Sequence, residues 1–251
     1  MSKEEQRVAM VTGGTRGLGR AISIELAQRG YHLILNYRRE HGEAEKTVAL
    51  IRQSGGSAEL RPADLANPEE ITGLFAGLNR LDLLVNNAGI TRDELLLLMR
   101  PDSWKNVLAT NLTAVFHCSQ FAARLMCPAK RGVIIHIGSS SAASARTGQA
   151  NYSSAKSALL GMTRSMAREL ATHGVRVLTV APGFTASDMA HAVPDTVAQL
   201  SLNRIPLGRW GRPEEISRTV AFLASDAASG FSGHAWMVDG GRTAFETEVG
   251  L

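Results

Sequence analysis

The chain has 251 residues, of which 44% are hydrophobic, and a formal net charge of +4. This length suits one large α/β domain or two small ones, and the apolar runs are too short to span a bilayer. The basic residues form no dense tract of the kind that binds DNA or RNA. The charge therefore indicates either ordinary solubility or attraction of anions, such as nucleotide phosphates or an acidic carrier protein.

The cysteine content argues against a cross-linked or metal-bound scaffold. Cys118 and Cys127 form no C-x-x-C pattern, and no histidine cluster has metal-ligand spacing. The sequence therefore predicts neither a disulfide framework nor a metal site. The polar N-terminus, MSKEEQR, lacks the features of a signal peptide. We expect a reducing, cytoplasmic environment.

A glycine-rich loop follows the first predicted strand. Val8–Val11 is apolar, TGGTRGLG follows at residues 12–19, and a helical pattern begins directly after it. Strand, glycine-rich turn and helix form the context of a dinucleotide fingerprint, in which backbone N–H groups approach a pyrophosphate at the helix N-terminus. The spacing G-x-x-x-G-x-G differs from the most familiar fingerprint, and a mere tight turn is the alternative.

The end of the second predicted strand, His32–Tyr37, indicates which cofactor is bound. An acidic residue at this position selects NAD by binding the ribose 2′-hydroxyl. Here Asn36, Tyr37, Arg38 and Arg39 occupy it, and Arg16 in the glycine-rich loop is placed to reach the same spot. Because guanidinium groups pair well with phosphate, the sequence predicts a 2′-phosphate and hence NADP. The alternative is a solvated arginine pair at a strand end.

The remaining elements alternate between strand and helix, as apolar runs and amphipathic patterns indicate. Strands are expected at Ala58–Pro62, Leu81–Val85, Gly132–Ile137, Val175–Ala181 and His234–Val238, and helices at Gly42–Ser54, Glu69–Leu78, Pro101 to about Cys127 and from Pro213 onward. The Pro-interrupted stretch Asp188–Asn203 is interpreted as a mobile lid, and the apolar run Leu95–Met99 as packing. The pattern predicts one Rossmann-type, doubly wound α/β domain over residues 1–251, with a seven-stranded parallel sheet and helices on both faces.

Tyr152 and Lys156 lie four residues apart in the segment QANYSSAK. In a helix this spacing places both side chains on one face. A nearby ammonium lowers the pKa of a phenol, so the pair can supply a proton donor for neutral pH. The alternative is a surface helix with a solvated lysine, since the spacing is common by chance.

Two further polar residues occupy positions that suit such a site. Ser139 follows the predicted strand Gly132–Ile137, where a hydroxyl would project toward the crevice at the carboxyl edge of the sheet. Asn111 lies inside a predicted helix, where asparagine is a mediocre helix former. It is either a tolerated helix residue or the site of a distortion that leaves a backbone carbonyl for a water.

Together these motifs resemble the short-chain dehydrogenase/reductases. The likeness rests on TGGTRGLG, NNAG at 86–89, Asn111, Ser139, Tyr152-x-x-x-Lys156 and Pro182-Gly183, and covers essentially the whole chain. Within the family, NNAGITRDELLLLM, GQANYSSAK, VAPGFTASDM and PLGRWGRPEEI look most like bacterial β-ketoacyl-[acyl-carrier-protein] reductases. The resemblance implies NADPH-dependent reduction of a 3-oxoacyl thioester to the 3-hydroxyacyl thioester, in fatty-acid or related biosynthesis.

The resemblance also implies a role for each motif residue. Tyr152 donates a proton to the carbonyl oxygen as hydride arrives, Lys156 lowers the tyrosine pKa and holds the nicotinamide ribose, Ser139 binds the substrate oxygen, and Asn111 holds a water that relays protons to Lys156. The implied cofactor contacts are Gly13, Gly14, Thr15, Arg16, Gly17, Leu18 and Gly19 at the pyrophosphate, Arg16 and Arg38 at the 2′-phosphate, Asp64 and Leu65 at the adenine, Asn87, Ala88 and Gly89 at the adenosine side and crevice floor, and Pro182, Gly183 and Thr185 at the nicotinamide.

Some positions depart from the family or concern its partners. The segment SSAASART after Ser139 and the pair Ala186-Ser187 differ from typical carrier-protein reductases, which weakens the expectation about the substrate but not about the reaction. Such reductases hold an acidic carrier protein with basic residues near the site. Lys130 and Arg131 match one basic patch, and His173 replaces an expected arginine, so partner affinity is expected to be weaker or pH-dependent. Scattered surface charges are the alternative.

Two apolar stripes on the helix after Tyr152 favour a homo-oligomer, and family members are commonly tetramers through this helix. One stripe comprises Ala155, Leu159, Met162, Met166 and Leu170, and the other comprises Leu160, Ala167 and Ala171. The alternative is that the second stripe consists merely of small exposed residues.

Two other functions stay open. The first is the same chemistry on another carbonyl or alcohol, such as acetoacetyl-CoA, a polyketide-like intermediate, a sugar or a small ketone. The second is a catalytically silent protein that binds cofactor or partners for regulation or scaffolding. The presence of Ser139, Tyr152 and Lys156 together argues against the silent protein.

Overall fold

The computed structural model describes residues 6–186 and 202–244. Its strands are β1 (Val8–Val11), β2 (His32–Tyr37), β3 (Ser57–Pro62), β4 (Leu83–Asn86), β5 (Gly132–Ile137), β6 (Val175–Pro182) and β7 (Ala235–Val238). Its α-helices are α1 (Gly17–Gln28), α2 (His41–Gln53), α3 (Pro68–Phe75), α4 (Pro101–Leu108), α5 (Ala114–Met126), α6 (Ala150–Leu170) and α7 (Pro213–Ala224). The strands form one parallel sheet in the order β3-β2-β1-β4-β5-β6-β7.

The predicted fold class is confirmed, because the strand order reverses between β1 and β4 as in a doubly wound sheet. The bounds of β1, β2 and β5 match the prediction, β3, β6 and β7 differ by one residue at one end, and β4 differs by two residues at its start and one at its end. The stretch interpreted as a lid, 188–203, lies almost wholly outside the described residues. The assignment of 1–251 to one domain stays a prediction.

Alternating strand residues face two separate cores. On one face, residues such as Val11 and Leu35 pack with α1, α2 and α7. On the other, Met10 and Ile34 pack with α3, α5 and α6. A sheet covered on both faces needs apolar side chains on both, which is why its strands are near-continuous apolar runs.

The long helix predicted from Pro101 to about Cys127 is interrupted. A π-helical turn, Ala109–Thr113, separates α4 from α5. Asn111 lies in this turn and is fully buried. Its side-chain oxygen accepts a hydrogen bond from the backbone N–H of Ile90, and its amide donates to the Ile90 carbonyl, both at 2.9 Å. The distortion predicted at Asn111 is confirmed, and this paired contact with Ile90 accompanies it.

The apolar run Leu95–Met99 does not pack within the protomer, so that prediction is wrong for the single chain. Leu97 is 96% exposed and Leu96 is 76% exposed. The flanks are tied down instead: the Glu94 N–H donates to the Gly148 carbonyl, and the Glu94 carboxylate accepts from the Arg100 N–H. The leucines between these anchors project outward. No helix among the described residues is long and apolar enough to cross a membrane.

Of the two stripes predicted on α6, one was expected to pack against the sheet and the other against another subunit. Ala155 and Leu159 of the first stripe are buried, as expected, but Ala167 of the second is buried too. Ala167 packs in the core that joins α6 to the sheet. Its assignment to a subunit-facing stripe is therefore wrong, because the two stripes are close enough around the helix to share one buried side.

Candidate active site

The glycine-rich loop joins β1 to the N-terminus of α1. That helix begins at Gly17, and Arg16 before it provides no side-chain cap. The first-turn N–H groups therefore present partial positive charge without a competing side chain. A Cβ at Gly17 would meet open space, whereas a Cβ at Gly19 would collide with the Gly13 carbonyl. The loop therefore fits a dinucleotide pyrophosphate approaching the helix N-terminus.

Polar side chains from neighbouring strands fix the shape of this loop. The Asn36 side-chain oxygen accepts from the Gly13 N–H at 3.3 Å. The Asn87 amide donates to the Thr12 and Gly13 carbonyls at 3.0 Å each. In return, the Thr12 hydroxyl accepts from the N–H groups of Asn87 and Ala88. From the sequence, Asn87 was expected at the adenosine side and crevice floor, and the support of the loop by Thr12 and Asn36 was missed. The signal for Asn36 was an amide at a position where an acid is usual.

The candidate 2′-phosphate site lies at the carboxyl end of β2. Arg38 pairs with Asp64 at 3.6 Å, and Arg16 pairs with Glu40 at 3.1 Å. Both guanidinium groups are at least half exposed, and ion pairs of this kind contribute little stability. Either arginine can therefore exchange its carboxylate for a phosphate at small cost. Leu65, next to Asp64, is buried.

Ser139, Tyr152 and Lys156 converge where β5 ends and α6 begins. The Ser139 side chain lies close enough to the Tyr152 hydroxyl to lower its pKa, and its oxygen accepts from the Ser141 N–H at 3.1 Å. Lys156 Nζ donates to the Ile137 carbonyl at 2.6 Å and lies 5.7 Å from the centre of the Tyr152 ring. The predicted spacing on one helix face is confirmed.

Asn111 lies at the same place, hydrogen-bonded to the loop that follows β4. A Cβ built on Gly89 would lie 3.3 Å from Asn111 Oδ1 and 3.8 Å from Lys156 Nζ. Glycine at this position lets both side chains approach the loop closely. The π-helical turn, the β4 loop and α6 thus meet at Gly89.

Burial is the largest influence on the pKa values of Tyr152 and Lys156. It raises the pKa of Tyr152, against which the Ser139 side chain and the charge of Arg146 act. Burial also lowers the pKa of Lys156 to about 8. In this structure the Lys156 ammonium is directed to the Ile137 carbonyl, and the lowering of the Tyr152 pKa by Lys156 stays a prediction. With its pKa raised by burial, Tyr152 is protonated at neutral pH, as a proton donor in reduction must be.

The ends of β6 and β7 complete the crevice. Gly183 follows β6, its N–H donates to the Val238 carbonyl at 3.0 Å, and a Cβ on it would lie 2.7 Å from the Asp239 Cα. Thr185 forms a parallel bridge with Gly211. Pro182, Gly183 and Thr185 therefore stand beside the end of β5, at the edge where ligands bind in open α/β sheets.

Comparison with known proteins agrees with this geometry. A family model described as "Enoyl-(Acyl carrier protein) reductase" matches residues 13–243. The 3-oxoacyl-[acyl-carrier-protein] reductase of Synechocystis sp. is 43% identical over 244 residues, which cover 95% of this chain and 98% of that protein. The corresponding Staphylococcus aureus reductase, FabG, is 42% identical over 237 residues, covering 93% of this chain and 96% of FabG. The chain belongs to the short-chain dehydrogenase/reductase family.

Two solved structures described as dehydrogenases superpose closely. A protein named as a gluconate dehydrogenase from Agrobacterium tumefaciens has a TM-score of 0.91 and 35% identity, covering 96% of this chain and 97% of its own. One named as a short-chain alcohol dehydrogenase from Sinorhizobium meliloti has a TM-score of 0.89 and 34% identity, covering 95% and 96%. The chain is therefore an oxidoreductase with a family fold that accepts several kinds of substrate.

The basic residues predicted to lie near the site are at the opposite edge of the sheet within one protomer. Lys130 and Arg131 precede β5, and His173 precedes β6, whereas Ser139 follows β5. Eight residues of nearly extended chain separate Arg131 from Ser139, a distance of about 26 Å at 3.3 Å per residue. Arg131 also pairs with Asp82 at 3.0 Å. The expectation of a patch beside the protomer's own crevice is wrong.

Two cationic residues near the crevice were missed from the sequence. Arg146 lies in the loop between β5 and α6, within the segment noted for departing from the family. Arg242 follows β7, and its guanidinium donates to the Ser140 hydroxyl at 3.2 Å. No local sequence pattern links two residues so far apart. The one signal was that the segment around Arg146 departs from the family pattern.

Proposed function

We propose that this protein is an NADPH-dependent reductase of 3-oxoacyl thioesters on an acyl carrier protein. The observation that carries the proposal is the meeting of Tyr152 with Ser139 and Lys156 at the carboxyl end of β5, where Lys156 Nζ lies 5.7 Å from the centre of the Tyr152 ring. The Synechocystis and S. aureus relatives, named as 3-oxoacyl-[acyl-carrier-protein] reductases, support the choice of substrate. The product is the 3-hydroxyacyl thioester. The cytoplasmic location expected from the sequence stays a prediction.

Each residue has a role that follows from its chemistry. NADPH, when bound, supplies the hydride. Ser139 orients the substrate carbonyl by a hydrogen bond to its oxygen, and Tyr152 gives that oxygen its proton. The Lys156 ammonium stabilises the tyrosinate left behind. Asn111, near Lys156, is proposed to hold the water through which the proton is restored.

We propose that Arg38 and Arg16 bind the 2′-phosphate of NADPH. Arg38→Ala is expected to lower the ratio of kcat/KM for NADPH over NADH at least tenfold, because a charge-assisted contact made only by the phosphate is lost. Steady-state kinetics with both cofactors measure the ratio. Arg52→Ala, which removes an exposed arginine from α2, is the matched control. An unchanged ratio for Arg38→Ala would move the phosphate contact to Arg16.

A carrier protein bound at Lys130 would lie far from the same protomer's Ser139, so this patch can serve catalysis only across an interface between copies. We propose a homotetramer, for which exposed apolar side chains supply contact surface. These include Leu96, Leu97, Phe116 and Trp236. Sedimentation of the purified protein measures the oligomeric state, and a monomer would remove this role for the patch.

The proposed function is tested by following NADPH absorbance with acetoacetyl thioesters on carrier protein and on coenzyme A. Rapid turnover on the carrier form is expected. Crotonyl thioester is the control, because the matching family model is described as an enoyl reductase, and no turnover of it is expected. Slow turnover of both acetoacetyl thioesters, with NADPH still bound, would redirect the search to other carbonyl substrates.

A further inference from the structure

We propose that the acyl group of the natural substrate carries a carboxylate, which Arg146 and Arg242 bind beside the reacting carbonyl. The inference rests on the proposed reduction of a 3-oxoacyl thioester and narrows the class of acyl chain. Neither arginine belongs to the motifs that identify the family.

The two arginines share one aromatic ring. The Arg146 guanidinium carbon lies 3.9 Å from the centre of the Phe184 ring, and that of Arg242 lies 5.4 Å from the same point. Phe184 itself follows Gly183 at the end of β6 and stacks on Trp210 at 6.0 Å. Cation–π contacts hold a guanidinium face while leaving its N–H edge for other partners. The ring therefore fixes both cations at the carboxyl ends of neighbouring strands.

This arginine pair adjoins the reacting groups. Arg242 donates to the hydroxyl of Ser140, the residue directly after Ser139. Arg146 is near enough to Tyr152 for its charge to oppose the rise of the tyrosine pKa. An anion between the two guanidinium groups would therefore belong to the part of the substrate next to the carbonyl.

The two guanidinium groups repel each other, and a carboxylate lies near each of them. Burial and the charge of Arg242 lower the pKa of Arg146, and burial and the charge of Arg204 lower that of Arg242. Two carboxylates oppose these effects, Asp93 at Arg146 and Asp239 at Arg242. A bound anion would relieve the repulsion that remains.

Both opposing carboxylates have other hydrogen-bond partners. Asp93 accepts from the Gln149 amide at 2.8 Å. Asp239 accepts from the N–H groups of Gly241 and Thr243 and from the Thr243 hydroxyl. Within residues 6–186 and 202–244, the buried Nε of Arg242 has no hydrogen-bond partner. Such a donor is costly to leave unpaired, and a carboxylate matches the guanidinium edge.

The chemistry favours a carboxylate on the acyl chain over the phosphate of the carrier arm. The whole pantetheine arm separates that phosphate from the 3-oxo carbon, so it cannot lie beside Tyr152 while the carbonyl reacts. A carboxylate a few bonds beyond the 3-oxo carbon can lie between the two guanidinium groups while the carbonyl lies beside Tyr152.

The test compares 3-oxoadipyl-CoA with 3-oxohexanoyl-CoA, which have the same acyl carbon count and differ at the last carbon, carboxylate against methyl. The proposal expects kcat/KM to be at least tenfold higher for 3-oxoadipyl-CoA. Arg146→Met should reduce this preference at least tenfold, and Arg146→Lys should retain part of it. Arg164→Met, on the exposed side of α6, is the matched control and should keep the preference. Thermal unfolding checks that each variant is folded.

The outcomes separate this inference from the proposed function. Equal turnover of both thioesters, or a preference retained in folded Arg146→Met, overturns the carboxylate site and leaves the reductase intact. If neither thioester is reduced although NADPH binds, and acetoacetyl carrier protein is not reduced either, the proposed function fails. The carboxylate site is then judged by calorimetric titration of the NADP⁺-loaded protein with each thioester: at least tenfold tighter binding of 3-oxoadipyl-CoA supports it, and equal or absent binding overturns it.

Discussion

Replacing Tyr152 with phenylalanine is expected to lower kcat about a thousandfold, because it removes the proton that the carbonyl oxygen receives and leaves the ring in place. NADPH affinity should change little, since the side-chain volume and the contacts of α6 are kept. Single-turnover rates and fluorescence titration with NADPH measure the two quantities separately. The loss should fall on kcat and kcat/KM alike, because the proton transfer is made in the transition state.

Tyr31→Phe is the matched control for this substitution. Tyr31 is also buried, but it packs near the opposite end of β2, under Arg7. Its variant should keep wild-type kcat. Substantial turnover by Tyr152→Phe would contradict the role of Tyr152 as proton donor and would leave Ser139 or a water as the source.

Replacing Lys156 with methionine is expected to lower kcat at least a hundredfold without lowering stability at pH 7. The charge that stabilises the tyrosinate is lost, but so is the cost of burying an ammonium. That cost is visible in the pKa of Lys156, which burial lowers to about 8 from the usual 10.5. The methionine leaves the Ile137 carbonyl without its 2.6 Å partner, and the removal of the buried charge is expected to offset this loss.

The pH dependence of stability gives a second measure of the cost of burying the Lys156 ammonium. Because its pKa is lower in the folded protein, the unfolded chain binds more protons between pH 8 and 10.5. The contribution of Lys156 to stability therefore rises with pH across this window. The advantage of Lys156→Met in thermal unfolding should be largest at pH 7 and shrink toward pH 10.

The pH dependence of activity should report the same ionisation of Lys156. In the wild type, kcat/KM is expected to fall above pH 8 as Lys156 loses its charge, and the residual activity of Lys156→Met should lack that limb. A variant that unfolds much earlier than the wild type at pH 7, or that keeps wild-type kcat, would contradict this role for Lys156.

The sheet was predictable because its strands must be apolar on both faces. The run GVIIHI gave the bounds of β5, and the glycine-rich loop after β1 gave the start of α1. The edge on which Lys130 and His173 lie was also predictable, since both residues precede strands that point toward Ser139. The expectation that these basic residues lie near the crevice was wrong because a family patch was carried over without following strand direction.

Other features depend on contacts that no local pattern encodes. The poor helix propensity of Asn111 signalled a distortion, but its partner Ile90 lies 21 residues away. The composition of Leu95–Met99 indicates burial without saying which surface covers it. Arg146 and Arg242 meet at Phe184 only because the ends of β5, β6 and β7 lie side by side.

The proposed reduction is tested most directly by a single turnover with NADPH that carries deuterium at both C4 positions. Enzyme is mixed in excess over acetoacetyl carrier protein, and the acyl product is analysed by mass spectrometry. The expected product is the 3-hydroxybutyryl thioester with one deuterium at C3, formed by the wild type and not by Tyr152→Phe on the same timescale. Unchanged acetoacetyl thioester in the presence of bound NADPH, or a product without deuterium at C3, would contradict the assignment.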